Sequence, residues 1–229
     1  MDDPTLVSIL ILGDSGCGKS TFLSRLSVGQ QSPTRNPNHA QEQAGDKAPV
    51  PVLRDLDQPF IYNVRLHRRP YRLEFYDTSY THQHWTLLQP DFVILAFDLT
   101  SREGLERLKG VSDPMYCYGC VLLVLRSCIG WRNDVIRHFQ RTPTDGSTHG
   151  ERIPVMVLGL KRDLRVENST TIYPQEGYRI AQELRCDRYA ECSAITGELI
   201  PEVFEDIATV AAKTTTEAGG QSKGGCVVM

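Results

Sequence analysis

Three short runs of apolar residues stand out along the chain, at residues 6–12, 92–97 and 155–160. Runs of this length without polar alternation are typical of strands in a parallel sheet that is covered on both faces. Residues 189–192 predict a further, shorter strand. Together these segments predict three buried strands and a fourth short one.

Two other segments alternate apolar and polar residues. Residues 60–66 and 71–75 both follow this pattern, which is typical of half-buried strands. Residues 67–70 are short enough to join the two strands as a hairpin. The pair therefore predicts one antiparallel strand at an edge of the sheet.

Between the strands, apolar residues recur at helical spacing. The predicted helices cover residues 19–27, 104–109 and 131–140, the stretch that contains Tyr178, Ala181 and Leu184, and a last helix with Pro201 in its first turn. Strands that alternate with helices favour an α/β sandwich of three layers. We predict a mostly parallel six-stranded sheet with one antiparallel edge strand and helices on both faces. Nucleotides bind such sheets at the carboxyl ends of the strands.

Three segments depart from this alternation. Residues 30–49 are polar, and they predict a long loop. Residues 111–130 interrupt the helical pattern, and residues 213–229 form a tail rich in threonine and glycine. The predicted domain therefore covers residues 5–212.

Composition narrows the classes of function. The chain has 229 residues, of which 40% are hydrophobic, enough for one buried core. A net charge of −3 argues against the basic surface that nucleic-acid binding requires. The acidic start and the absence of a long apolar run predict neither a signal peptide nor a membrane span. Seven scattered cysteines, Cys117 and Cys120 among them, indicate a reducing compartment rather than a disulfide scaffold or a zinc site.

The turn after the first strand matches the phosphate-binding pattern GxxxxGK[ST]. A strand before it and a helix after it are the context that this motif requires. Glycines let backbone N–H groups turn inward around an anion, and the helix adds the positive end of its dipole. We predict that phosphate is bound by Gly13, Asp14, Ser15, Gly16, Cys17, Gly18, Lys19, Ser20 and Thr21. In such a loop the lysine reaches the β- and γ-phosphates and the Ser20 hydroxyl binds Mg²⁺.

Later motifs resemble those of the Ras superfamily of small GTPases, which share the P-loop NTPase fold. Leu160-Lys161-Arg162-Asp163 is similar to the guanine-binding motif NKxD, and Glu191-Cys192-Ser193-Ala194 is similar to the second base-contacting motif. Asp77-Thr78 resembles the start of the second switch. Within the superfamily the chain most resembles the Rho branch, as shown by Asp163-Leu164-Arg165 and the terminal Cys226. The resemblance suggests a fungal Rho-like GTPase.

The resemblance implies a role for each matching residue. Asp163 would accept both N–H donors on the guanine edge, a pair that adenine lacks. The stem of Lys161 would cover the base, and Ala194, in the turn that it forms with Ser193, would offer a backbone N–H to the guanine oxygen. Asp77 would hold Mg²⁺ through water beside Ser20. The implied ligands are GTP or GDP with Mg²⁺, and the implied partners are effectors, exchange factors and GTPase-activating proteins.

Several positions depart from the family pattern, and they bear on catalysis. Ser15 stands where the family usually has glycine and crowds the γ-phosphate. Tyr80 replaces the glycine of DxxG, and Thr81 stands where the water-orienting glutamine follows. The catalytic residue is unknown; Thr81 and Gln83 are the weak candidates. We therefore expect GTP hydrolysis to be slow.

Two further departures concern nucleotide affinity. Thr34 is the only candidate for the Mg²⁺-binding threonine of the first switch, because the nearest match to that motif has proline at the position. Leu160 replaces the asparagine of NKxD and loses a side-chain tether to the phosphate loop. We expect weaker or faster-exchanging nucleotide with guanine preference kept.

Cys226-Val227-Val228-Met229 has the form of a CaaX box, with methionine favouring farnesyl. One lipid chain anchors only marginally, and the tail has few basic residues to help it. We expect prenylation of Cys226 and residence on the cytoplasmic face of a membrane, such as the plasma membrane, with a cytosolic pool.

Alternatives remain open at this level. The protein could be a pseudo-GTPase scaffold with little nucleotide-dependent switching, an interpretation favoured by Tyr80 and the long first loop. A P-loop kinase or ATPase fits less well, because Asp163 and the lipid signal argue against it. Residues 111–130 could be a partner site, a buried extra strand or a retained intron, of which the last is favoured because both flanks resume the family pattern.

Overall fold

The computed structural model describes residues 3–30, 58–66, 69–77, 86–109, 130–139, 153–167 and 171–215. These residues contain one sheet of six strands in the order β2-β3-β1-β4-β5-β6. The strands are β1 (Thr5–Gly13), β2 (Phe60–Leu66), β3 (Arg69–Asp77), β4 (Phe92–Asp98), β5 (Val155–Leu160) and β6 (Arg188–Glu191).

Strand direction agrees with the hydrophobic pattern. β1 lies between β3 and β4 and pairs in parallel with both. β5 and β6 continue the parallel sheet on one side. On the other side β2 pairs with β3 in antiparallel register, with Phe60 opposite Phe75. The predicted mostly parallel sheet with one antiparallel edge strand is confirmed.

Helices follow the strands in the expected alternation. They are α1 (Lys19–Gln30), α2 (Arg102–Lys109), α3 (Trp131–Phe139), α4 (Pro174–Glu183) and α5 (Ile200–Thr214). A 3₁₀ turn, Arg162–Leu164, follows β5. No helix among the described residues has the length and apolar character needed to cross a bilayer.

Alternate side chains of the buried strands enter two separate cores. Ile9 and Ile11 point into a core that contains side chains of α1 and α5. Leu10 and Leu12 point into a second core with α2, α3 and α4. Because both faces of β1 are covered, the strand needs a continuous apolar sequence rather than an alternating one. This arrangement confirms the three layers.

Several predicted details are wrong at their edges. β3 begins at Arg69, so the connection after β2 is shorter than the predicted residues 67–70. α2 begins two residues before Gly104, and β6 is shifted by one residue to Arg188–Glu191. Tyr178 is 47% exposed, because α4 turns Gly177, Ile180 and Ala181 inward instead. α5 runs through Thr214, two residues into the predicted tail.

Candidate functional site

The turn from β1 into α1 has the backbone of an anion-binding loop. Gly16 and Gly18 have φ angles of 77° and 110°, values that residues with a Cβ rarely adopt. At Gly13 a Cβ would lie 2.2 Å from the Ala96 oxygen of β4. These glycines let the loop curl tightly against the sheet, with the N-terminus of α1 directly after it.

Lys19, the phosphate-motif lysine, is held inside this loop. Its Nζ donates to the carbonyl oxygens of Gly13 at 3.0 Å and Asp14 at 2.9 Å, and the side chain is only 5% exposed. The third N–H of this ammonium group is directed at Cys17 Sγ, at 4.0 Å, and a stronger acceptor such as a phosphate oxygen can replace this weak sulfur contact. The loop thus presents a positioned positive charge.

Cys17 fills the space beneath the same loop. Its Sγ lies 3.8 Å from the Ala96 oxygen, and the residue is 3% exposed. Burial raises the pKa of the Cys17 thiol, although Lys19 opposes the shift. A neutral, buried thiol is a poor nucleophile, so Cys17 acts as a packing residue.

Two oxygen side chains meet where α1 begins and β3 ends. The Ser20 hydroxyl donates to Asp77 Oδ2 at 2.5 Å. Hydroxyl and carboxylate oxygens are hard donors of the kind that Mg²⁺ prefers, and Mg²⁺ usually keeps several waters beside one or two protein ligands. The structure therefore brings together the two residues that were predicted to hold the metal, and their chemistry fits Mg²⁺.

The two predicted guanine-binding segments also meet. The Ser193 hydroxyl donates to Asp163 Oδ1 at 2.5 Å, and Ser193 is fully buried while Asp163 is exposed. Within the described residues, no hydrogen bond to Asp163 Oδ2 is formed. Asp163 is thus oriented through Oδ1 by a buried hydroxyl.

A residue that sequence reasoning missed fixes the second guanine-binding turn. Arg25, on α1, donates from Nε to the Ala194 oxygen at 2.5 Å and from Nη2 to the Ile195 oxygen at 2.7 Å. The helix that starts at the phosphate loop thus holds the base-contacting turn directly. An arginine at this position of α1 belongs to no motif, so only the three-dimensional structure reveals its role.

Lys161 joins the guanine-binding segment to the end of β4. It adopts a left-handed conformation with φ 60°, and its Nζ contacts Asp98 Oδ2 at 2.7 Å. Burial of Asp98 opposes its ionisation, but hydrogen bonds from Lys161 and Thr100 outweigh this effect and lower the pKa of the Asp98 carboxyl. The ion pair holds the lysine stem across the site.

Leu160 occupies the position at which the NKxD motif has an asparagine that would bond to the phosphate loop. The side chain is 1% exposed and lies within the core. A Cβ at Gly18 would lie 3.7 Å from Leu160 Cδ1 and 3.7 Å from Lys161 Cε. An apolar side chain at position 160 can offer the phosphate loop only van der Waals contact, which is weaker and less directional than a hydrogen bond.

Glu191 connects the two predicted base-binding segments, a role that the sequence did not reveal. It is 6% exposed and contacts Arg165 Nη2 at 2.6 Å and Arg162 Nη1 at 3.6 Å. The Tyr189 hydroxyl donates to the same carboxylate at 2.5 Å. Since Arg162 and Arg165 flank Asp163 in sequence, this cluster fixes the loop that carries the carboxylate predicted to contact guanine.

Asp14 links the phosphate loop to helices outside it. Its Oδ1 accepts a hydrogen bond from Trp131 Nε1 at 3.4 Å, and its Oδ2 lies 3.2 Å from Arg107 Nη1. These donors come from α3 and α2. Asp14 was predicted only as a member of the phosphate loop, and its side chain proves to be the loop's attachment to the second core.

Of the remaining predicted residues, the structure describes two and leaves the others outside the described ranges. Ser15 is exposed at the tip of the phosphate loop, and Thr21 is half-buried in the first turn of α1. The catalytic candidates Thr81 and Gln83, the switch residues Thr34, Thr78 and Tyr80, and the lipidation residue Cys226 lie outside the described residues. The same holds for Cys117 and Cys120; the described part of the chain contains no group of three or more metal-binding side chains.

A family model described as the Ras family matches residues 124–213 of this chain. The matched part contains α3, β5, α4, β6 and nearly all of α5, and with them both base-binding segments. It covers less than half of the chain and leaves the phosphate loop outside. Over these residues the chain is similar to the Ras family.

Proposed function

We propose that this protein is a guanine-nucleotide-binding signalling switch of the Rho type, which binds GTP or GDP with Mg²⁺. The Ras-family match to the base-binding half is the premise, and the phosphate loop supplies the other half of the site. In the switch, bound GTP orders loops that effectors recognise, and exchange factors and GTPase-activating proteins set its state.

One observation carries the guanine assignment: the carboxylate of Asp163 is oriented through Oδ1 by Ser193, and its Oδ2 accepts no hydrogen bond from the described residues. A carboxylate placed to accept two N–H donors favours guanine, because adenine lacks this donor pair and would leave the carboxylate unpaired beneath the bound base. Lys19 and the glycine turn would hold the phosphates, while Ser20 and Asp77 would hold Mg²⁺, which neutralises phosphate charge when bound.

Calorimetric titration tests this assignment most directly. We expect purified protein to bind GDP and a GTP analogue with Mg²⁺ at least about 100-fold more tightly than ADP. Asp163→Ala should remove most of this preference, whereas Lys19→Ala should weaken binding of both nucleotides. Equal affinity for ADP and GDP in the wild-type protein would contradict the guanine assignment.

Slow hydrolysis is the second part of the proposal, and it rests on the sequence. Ser15 places a side chain where an arginine finger and the γ-phosphate need space, and Thr81 stands where a water-orienting glutamine is usual. Loss of either function removes orders of magnitude in rate. Single-turnover hydrolysis of GTP should therefore be slower than in ordinary Ras-type proteins. Thr81→Gln with Ser15→Gly should raise the rate, and an unchanged rate in this double variant would count against the explanation.

The third part is membrane attachment through a prenyl group on Cys226, because the last four residues form a CaaX box. A single farnesyl chain gives reversible binding, so the proposed location is the cytoplasmic face of a membrane, with a cytosolic pool.

A pseudo-GTPase scaffold is the alternative, favoured by the tyrosine at position 80. In that case the protein would bind its partners equally in the GDP and GTP-analogue states. Pull-down from the native cell with both states distinguishes the two functions: partners specific to the GTP-analogue state support the switch.

A further inference from the structure

Gln58 makes two hydrogen bonds to the main chain of a single residue, the predicted metal ligand Asp77. Its Nε2 donates to the Asp77 carbonyl oxygen at 2.7 Å, and its Oε1 accepts from the Asp77 N–H at 3.1 Å. A carboxamide has the donor and the acceptor needed to pair with both groups of one residue. Both distances lie within the usual range for N–H···O bonds.

This pair continues the β2–β3 ladder by side chain. Phe60 of β2 lies opposite Phe75 of β3 in antiparallel register. The same register, continued two residues before Phe60 and two residues after Phe75, places position 58 opposite Asp77. Antiparallel neighbours normally exchange main-chain hydrogen bonds at alternate positions. Here the amide of Gln58 provides both bonds, so the side of Asp77 that faces β2 remains paired where the β2–β3 ladder has stopped, while the other side of β3 stays in register with β1.

Asp77 is the residue at which fixed geometry matters most. It is the last residue of β3, and its Oδ2 accepts the hydrogen bond from Ser20 at 2.5 Å. Mg²⁺ demands near-ideal octahedral geometry, so a ligand whose backbone can shift binds it less well. A group that hydrogen-bonds to a metal ligand and fixes its orientation therefore affects metal affinity without touching the metal.

We propose that Gln58 is a positioning residue that sets Mg²⁺ affinity by clamping the main chain of Asp77. The inference rests on the proposed function for the identity of the metal and nucleotide. The clamp itself, the pair of bonds between Gln58 and Asp77, is present in the protein alone. Gln58 thereby couples the start of β2 to the Mg²⁺ ligand on the next strand.

Gln58→Met tests the clamp, because methionine is similar in length but can neither donate nor accept these bonds. Gln175→Met is the matched control: it makes the same chemical change at an exposed position in the first turn of α4. Gln58→Asn is a second variant with the same amide on a shorter stem. Release of a fluorescent GDP is measured for each protein across a Mg²⁺ titration and in excess EDTA.

We expect the Mg²⁺ concentration for half-maximal slowing of release to rise about tenfold in Gln58→Met, the size typical of lost support behind a metal ligand. The rate in EDTA should stay within about twofold of wild type, because the clamp does not touch the base or the phosphate loop. A general loss of structure would instead raise the EDTA rate as well. Gln175→Met should follow the wild-type curve.

Hydrogen exchange at the Asp77 amide gives a readout that needs no ligand. In nucleotide-free protein, this amide should exchange faster in Gln58→Met and Gln58→Asn than in wild type or Gln175→Met. Unchanged exchange, or a Mg²⁺ curve that overlays the wild-type curve, would overturn the inference. Wild-type protein that binds no GDP at all would instead overturn the proposed function, a result that the exchange measurement keeps distinct.

Discussion

At the scale of single residues, the candidate site depends on polar side chains that hydrogen bonds within the protein fix in position. Lys19 uses two of its donors on the loop that it serves. Asp163 is held through Oδ1 by Ser193. Each group is positioned before ligand arrives, so binding need not order it, and that lowers the entropic cost of association.

Ser193→Ala should weaken GDP binding by about 5- to 20-fold, because a lost hydrogen bond to a charged group costs roughly 1–2 kcal/mol. The variant frees the Asp163 carboxylate to rotate away from the base. Affinity measured by calorimetry should fall for GDP and hardly change for ADP. Ser8→Ala, a half-buried serine of β1, is the matched control. A parallel loss for both nucleotides would contradict the orienting role.

The ionisation of Tyr62 determines part of the change in the free energy of unfolding at alkaline pH. The ring is 2% exposed, and its hydroxyl donates to the Leu23 oxygen at 2.7 Å. Burial raises the pKa of Tyr62 from 10.0 to about 12. The stabilising contribution is therefore complete below pH 10 and is lost as the pH rises towards 12, since the unfolded chain gives up this proton first.

In urea unfolding experiments between pH 9 and 12, the free energy of unfolding should therefore decline less steeply in Tyr62→Phe than in wild type. The difference accumulated over this window should be about 1–3 kcal/mol. Cys192, whose pKa burial raises to about 12, adds to the decline in both proteins. Equal slopes for the two proteins would show that Tyr62 ionises as readily in the folded state as in the unfolded chain.

At the scale of elements, neighbouring helices and strands support the loops of the candidate site. α1 holds the base-contacting turn through Arg25, and α2 and α3 hold the phosphate loop through Asp14. Glu191, at the end of β6, holds the turn after β5. The loops can bind ligand with exposed backbone because rigid elements fix them at several points.

Trp131→Phe and Arg107→Ala should each speed GDP release by about 2- to 5-fold, the effect of one modest hydrogen bond or a half-exposed ion pair. Both variants loosen Asp14, whose carbonyl also holds Lys19. Arg137→Ala removes an exposed arginine from α3 and is the control. Release at the wild-type rate in both test variants would mean that the contacts to Asp14 do not support the loop.

Gly177→Ala should destabilise the fold by about 1–3 kcal/mol, because overpacking displaces neighbouring side chains. A Cβ there would lie 2.1 Å from the Tyr189 hydroxyl, and that hydroxyl is bonded to Glu191. Urea denaturation measures the loss. Gly104→Ala in α2 is the matched control, since its Cβ would meet nothing closer than 3.6 Å and alanine favours helix. Equal stability of the two variants would contradict close packing of α4 on β6.

At the scale of the whole molecule, the sheet brings all the binding loops to one edge. The phosphate loop follows β1, Asp77 ends β3, Asp98 ends β4, and the base-binding segments follow β5 and β6. Parallel strands end at the same edge, so residues far apart in sequence converge without long loops. The proposed lipid tail lies beyond α5, at the other end of the chain from the phosphate loop.

Cys226→Ser should abolish prenylation and move the protein from the membrane fraction to the cytosolic fraction, because the cysteine thiol carries the lipid. GDP affinity should not change. Intact mass spectrometry of protein from its native cell measures the modification, and fractionation measures its effect. The wild-type protein should lack the last three residues and carry one isoprenoid; an unmodified Met229 terminus in every species would contradict lipidation.

The sequence by itself determined the strands, most helices and the turn after β1, and it predicted the residues of the phosphate and base sites, because these depend on local pattern and on motifs of fixed spacing. The tertiary structure alone decided what holds those residues. Gln58, Arg25, Glu191 and the side chain of Asp14 act through partners that lie 19 to 170 positions away in sequence, apart from Tyr189, which lies two positions from Glu191. No local pattern encodes such contacts, because they form only when packing has brought separate elements together.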